Sequence, residues 1–245
     1  MSAATALLRS EAKLLARNPG VMLWTAILPV AAAIVLAAIP AIRKPSDALG
    51  GLSFFAVYQP ILVLFAITML AVQALPDVLT RYREMGVLKR LRTTPVSPAL
   101  LLGAQLAITL IVSVGCMLIM VIVPALVGAS WPQNIVGFVV GYLLTAWALL
   151  GLGMVIASLF RNAKVAAGFG TVLFFVLQFA AGLWLQRPLM PAWMRHISDL
   201  TPSGAGTQAL TDAAAGHWPQ LLHLVVLAVW GAVMSAIAVR KFSWE

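Results

Sequence analysis

Charge is scarce in these 245 residues: 9% are Asp, Glu, Lys or Arg, against 62% hydrophobic. A soluble domain carries roughly 25% charged residues. The polar surface is too small to coat a globule in water, so the bilayer must solvate most of the chain. Acid is scarcest, with seven Asp and Glu against sixteen Lys and Arg. Every acidic residue stands outside the apolar runs. The chain therefore lacks the intramembrane ionisable group that a proton-coupled transporter usually needs, and the same absence argues against an intramembrane enzyme. The single Cys116 lies inside an apolar run, which excludes an internal disulfide and disfavours metal ligation by cysteine. No G-x-x-x-x-G-K-[ST] phosphate loop is present, so ATP is not bound here in the usual way. No Ser/His/Asp set and no paired carboxylates converge, and His196, His217 and His223 lack ligand spacing. No catalytic residue, cofactor or metal is expected. Anything moved uphill must draw its energy from another polypeptide.

What the chain has in quantity is apolar length. About 20 apolar residues cross the hydrocarbon core. Six runs qualify: Val21–Ile42, Phe54–Leu75, Ala99–Val127, Ile135–Phe160, Val165–Leu185 and Gln220–Val239. The third is long enough to tilt. Pro29, Pro60 and Pro124 fall within runs and are expected to kink them. Ser97 followed by Pro98 is a good helix start. Gly151/Gly153 and Gly168/Gly170 lie inside runs, where small residues serve close helix packing.

The net charge of +9 does not indicate nucleic acid, because the cations sit at the ends of apolar runs. Twelve of the sixteen occupy the N-terminal segment, residues 76–98, residues 160–164 and the end of the last run. Arg43, Lys44, Arg187 and Arg195 are on the other side. The positive-inside rule puts both termini in the cytoplasm. The expected fold is one all-α domain over 1–245, with six transmembrane helices.

Three segments lie between or before the runs. Residues 1–19 read as an amphipathic helix in the headgroup plane. Arg9, Lys13 and Arg17 form one stripe, with Leu7, Leu8, Leu14 and Leu15 opposite. No cleavable signal peptide is expected, since no cleavage site follows the first run. Residues 76–98 read as two short cytoplasmic helices. Asp77 and Arg81 are spaced to pair, Gly86 interrupts, and Thr93-Thr94-Pro95 ends the second piece. Met85, Val87, Leu88 and Leu91 are apolar in a loop that should otherwise be wet, which suits docking onto a protein; a plain topogenic basic loop is the alternative. Residues 186–219 hold Pro188, Pro191, Trp193 and Trp218 and a short helix over Thr207–Ala215. They are expected to dip into the outer interface, the depth that Trp prefers.

Residues Arg83 to Ser97 resemble the R-E-x-G-x-L-x-x-L-x-x-T-P-x-S pattern after the second span of type-2 ABC exporter permeases, which include the daunorubicin-resistance kind. Met190-Pro191-Ala192-Trp193, then Ile197 through Leu200 and Thr201-Pro202, resembles the pattern before the last span of that family. The resemblance implies that two six-span subunits pair, as homodimer or heterodimer, each above a separate ATP-binding subunit. It makes part of 81–95 the coupling helix, with Arg83, Glu84, Gly86, Leu88, Leu91 and Arg92 as the coupling residues. Lys89-Arg90 makes this loop more basic than the family pattern requires. The implied location is the bacterial cytoplasmic membrane.

In that architecture spans two and five face the dimer axis and the transport path. Seven of the ten Phe lie in those spans, and Thr171, Phe174, Phe175 and Gln178 share a helical face. Phe55, Tyr58, Gln59, Phe174, Phe175 and Gln178 are the expected path residues. Aromatics with a few amides suit a large, apolar, weakly specified ligand. The other reading of the same residues is lipid-facing Phe with Gln bonding between helices. The expected function is export of hydrophobic compounds, whether drug, antibiotic or lipid. A permease for a polysaccharide or lipid-linked glycan is the first alternative, and a non-transporting membrane scaffold or sensor the second.

Overall fold

A computed structural model describes residues 23–49, 51–86 and 98–241, together with positions 9, 13 and 20. Apart from Arg9 and Lys13, the helix expected over 1–19 lies outside the described residues. Every regular element among the described residues is helical. We number the α-helices α1 Leu28–Ala38, α2 Phe54–Met69, α3 Leu75–Glu84, α4 Pro98–Leu126, α5 Ile135–Leu159, α6 Ala163–Ala181, α7 Ala192–Asp199, α8 Pro202–Ala214 and α9 Leu221–Lys241. π-helical turns occupy Leu23–Ile27 and Leu70–Ala74.

Among the described residues, five helices are long and apolar enough to cross a membrane: Phe54–Glu84, Leu100–Leu126, Ile135–Leu159, Ala163–Ala181 and Leu221–Lys241. The first expected span is represented by a shorter apolar helix, Leu23–Ala38. Pro40 explains the shortening. It pushes Ile39 into extended backbone, with φ −90° and ψ 109°, and the chain continues as a 3-10 turn over Pro40–Arg43. The first of the two short helices expected in 76–98 is α3, which continues the second span without a break to Glu84.

Polar caps set the helix starts. Ser53 Oγ accepts from the Ala56 N–H, and Asn134 Oδ1 from the Gly137 N–H. Asn162 Oδ1 accepts from the Lys164 and Val165 N–H groups, and Thr201 Oγ1 from the Gly204 N–H. Each satisfies a donor that the first turn leaves without a partner. At its other end, α6 closes on Gly182 in the left-handed region, at φ +92°.

The π turn at Leu70–Ala74 has a cause in Pro76. That residue has no N–H to offer the carbonyl of Val72, four residues back, or of Ala71, five residues back, and its ring crowds a regular turn. Two glycines close on the same carbonyls. A Cβ placed on Gly153 of α5 would lie 1.9 Å from the Ala71 oxygen, and one on Gly170 of α6 2.3 Å from the Val72 oxygen. Only hydrogen fits there, so α5 and α6 both seat directly on the bulged backbone.

Helix α8 sits beside the long helices rather than capping them. A Cβ on Gly206 would meet Thr145 of α5 and Leu64 of α2, each at under 3 Å. Both residues lie ten positions inside their helices, about 15 Å from the end. Helix α8 therefore packs against α2 and α5 well inside their ends. The helix expected over Thr207–Ala215 starts earlier, at Pro202, behind the Thr201 cap.

Candidate functional site

One end of the bundle gathers Arg81, Arg83, Arg161, Lys164, Arg240 and Lys241; we call it the basic end. Here α3 runs out. The Met85 and Gly86 N–H groups bond back to the Arg81 and Arg83 carbonyls at 2.9 and 3.1 Å, and Gly86 takes φ +66°. That is the break expected at Gly86, and only glycine takes this conformation without steric cost. The expected pair also forms, with Arg81 Nε donating to Asp77 Oδ2 at 2.9 Å.

Arg83, half-buried, and Glu84, exposed, both reach the helix ends of the α5–α6 turn. Arg83 Nη1 donates to the Ala157 and Phe160 carbonyls at 3.0 and 3.2 Å, where α5 leaves its last acceptors free. Glu84 Oε1 accepts from the Ala163 N–H at 2.8 Å, the first donor of α6. A cation thus meets the negative end of one helix dipole and an anion the positive end of the next. With the glycine seats at Ala71 and Val72, the second span holds the α5–α6 hairpin at two levels, about 18 Å apart along the helix. Leu88, Leu91 and Arg92 lie outside the described residues.

Among the described residues, the six expected path residues meet different neighbours within the chain. Phe55 is 1% exposed and Gln59 3%, and Gln59 Nε2 donates to the Met120 carbonyl of α4 at 3.0 Å. Gln59 therefore makes an interhelical bond. Tyr58 stacks on Phe54, donates to the Leu183 carbonyl and accepts from Gln186 Nε2. It ties the second span to the end of α6. Phe174 meets Phe65 edge-on at 5.0 Å. Phe175 is 53% exposed and lies against Trp184.

Gln178 is fully buried, and neither of its amide atoms has a hydrogen-bond partner among the described residues. An orphaned buried polar group costs about 1–3 kcal/mol. Gln178→Leu keeps the volume and removes the polarity, so it should raise the thermal midpoint of the isolated permease in detergent. A lowered midpoint would show that the amide has a partner that stabilises the fold.

Sequence reasoning missed a cluster at the opposite end. Asp199 receives a two-pronged bond from Arg187, with Nη2 2.9 Å from Oδ2, and lies 3.3 Å from His223 Nε2. His223 Nδ1 is 4.0 Å from Asp212 Oδ2. Histidines scattered in sequence thus include one that is buried between two carboxylates, one before α8 and one within it. No local spacing signals this, because α7, α8 and α9 meet only in the folded chain. Ser198 Oγ donates to the Ala180 carbonyl and Trp230 Nε1 to the Leu200 carbonyl, fixing the hairpin against α6 and α9.

A candidate transport permease of Bacillus subtilis (strain 168), YvfS, is 24% identical over 237 residues, covering 95% of each chain. The sequence pattern of the ABC-2 type transporter family matches residues 2–214. That match takes in the second span with its bulge, the Arg83–Glu84 corner and the α7–α8 hairpin, and so this multi-pass helical membrane protein belongs to the ABC-2 type transporter family.

Proposed function

We propose that the chain is the membrane subunit of an ATP-driven exporter that moves hydrophobic compounds (drugs, antibiotics or lipids) out across a bacterial cytoplasmic membrane. Membership of the family implies partnership with an ABC ATPase. In this reading two permeases pair, and two separate ATPase copies sit beneath residues 81–95. The observation that carries it is the grip of Arg83 and Glu84 on the α5–α6 turn. A partner that pushes on the loop beyond Gly86 moves α3. Through those bonds it also moves α6, which carries Phe174, Phe175 and Gln178. A loop serving topology alone has no need of such a grip.

Co-purification tests the reading directly. The permease should bring down its ATPase, and hydrophobic compounds should stimulate ATP hydrolysis by the complex in lipid. A complex that hydrolyses ATP but moves none of a broad set of hydrophobic compounds would sink the cargo assignment.

The orientation is a separate prediction. With Cys116→Ala as background, an impermeant thiol reagent applied to intact cells should label cysteines placed at Asp47 and His217, both exposed. It should spare one placed at Lys89. Labelling at 89 from outside would invert the topology and remove the loop from reach of any cytoplasmic ATPase.

A further inference from the structure

A cavity of about 260 Å³ opens at the end opposite the basic one, between α2, the Arg187–Leu189 turn, α7 and α8. Its two sides differ in chemistry. Leu52, Val57 and Ile61 make one wall apolar; Arg187, Arg195 and Gln208 stand on the other. Two cations in one small space are notable in a chain that places only four on this side.

Arg187 is paired with Asp199, but Arg195 is not spent. Arg195 precedes Asp199 by four residues on α7, the spacing at which a helical ion pair forms. The Asp199 carboxylate, however, is already taken by the Arg187 fork and by His223. No carboxylate lies within ion-pair distance of Arg195 among the described residues. The Gln208 amide likewise makes no hydrogen bond there. Thr211, also on this wall, donates its hydroxyl proton to the Thr207 carbonyl. The groups left over are donors and positive charge, beside a hydrocarbon surface.

We propose that this pocket binds the anionic headgroup, carboxylate or phosphate, of a single-chain amphiphile whose tail follows Leu52, Val57 and Ile61. Arg195 supplies the charge and a planar donor fork suited to either anion. Gln208 adds a neutral donor, and Arg187, held by Asp199, shapes the floor. A cationic amphiphile meets the unpaired Arg195 guanidinium and is turned away. Binding needs nothing from the exporter reading. That the guest is cargo rests on it, and the other source of the same chemistry is an anionic lipid of the bilayer.

The test uses the full chain in phosphatidylcholine nanodiscs and dansyl-undecanoate as probe, with its neutral methyl ester as control. The acid should bind at least tenfold more tightly than the ester. Arg195→Gln should weaken the acid about tenfold, the usual worth of a charge-assisted hydrogen bond. Arg195→Lys should retain part of the affinity, and Gln208→Leu should cost less than Arg195→Gln. Equal binding of acid and ester, or an Arg195→Gln variant that holds the acid as well as wild type, overturns the site. Phosphatidylglycerol added to the disc assigns the source: displacement of the probe identifies bilayer lipid as the resident, and indifference identifies the free amphiphile. With the ATPase present, intact binding without ATP-dependent movement of the acid leaves the site standing and rules the acid out as cargo. Export of neutral compounds without binding of the acid counts against the site alone.

Discussion

Replacing Gly170 with alanine is expected to be among the most damaging single changes in the chain, with Gly153→Ala equal to it or worse. In each case the new methyl group meets a backbone carbonyl, at 2.3 Å for Gly170 and 1.9 Å for Gly153. A side chain can rotate away, but a carbonyl within a packed helix cannot. Overpacking of a core costs about 1–3 kcal/mol, and here relief also requires pushing α6 or α5 off the second span. Gly168 is the internal control: it lies on the same helix as Gly170, two residues away, and a Cβ there has nothing within 4 Å. Gly168→Ala should be neutral or stabilise by up to about 1 kcal/mol, since alanine is the better helix former. Thermal midpoints and folded yield in detergent decide. If Gly170→Ala melts with Gly168→Ala and wild type, the seat on the π turn does not hold the helices together.

Loss of Glu84 should separate ATP hydrolysis from transport. Glu84→Ala strips the first N–H of α6 of its acceptor and removes an anion from the positive end of the helix. A hydrogen bond to a charged group contributes about 1.5–3 kcal/mol, so amide exchange across 160–165 should quicken about tenfold or more. In the complex, transport per ATP should fall by a similar factor while the ATPase stays bound. Glu84→Gln keeps an acceptor oxygen of the same reach and should restore much of the protection. Arg83→Ala should act in the same direction by freeing the Ala157 and Phe160 carbonyls. Full transport in Glu84→Ala, with unchanged exchange at 160–165, would remove the pair from the coupling route.

Much of this architecture is legible along the chain because it depends on near neighbours. Apolar length marks the long helices, since transfer into hydrocarbon adds up residue by residue. Ser53, Asn134 and Asn162 stand where helices begin, and Gly86 and Gly182 where they end, because capping and left-handed turns are settled within a few residues. The Asp77–Arg81 pair follows from helical spacing alone. Thr201-Pro202 carries the same start chemistry as Ser97-Pro98, so the true beginning of α8 was open to local reasoning.

Other features depend on which helix lies beside which. Between apolar helices in lipid there is no hydrophobic gradient to name the neighbour, and close packing and the pairing of leftover polar groups decide it. Gln59 could have faced a cavity, but the approach of α4 gives it the Met120 carbonyl. The resemblance makes Arg83 and Glu84 coupling residues, and only the packed α5–α6 turn presents them with two open helix ends. Asp199 and His223 stand 24 residues apart with α8 between them, and they meet because Gly206 lets that helix in against Thr145 and Leu64. The sequence by itself determined the membrane class, the long helices and their polar ends, since each is a sum of local free energies. Tertiary structure alone decided the partners of Arg83, Glu84, Gln59 and Asp199, since those bonds exist only once the helices are packed.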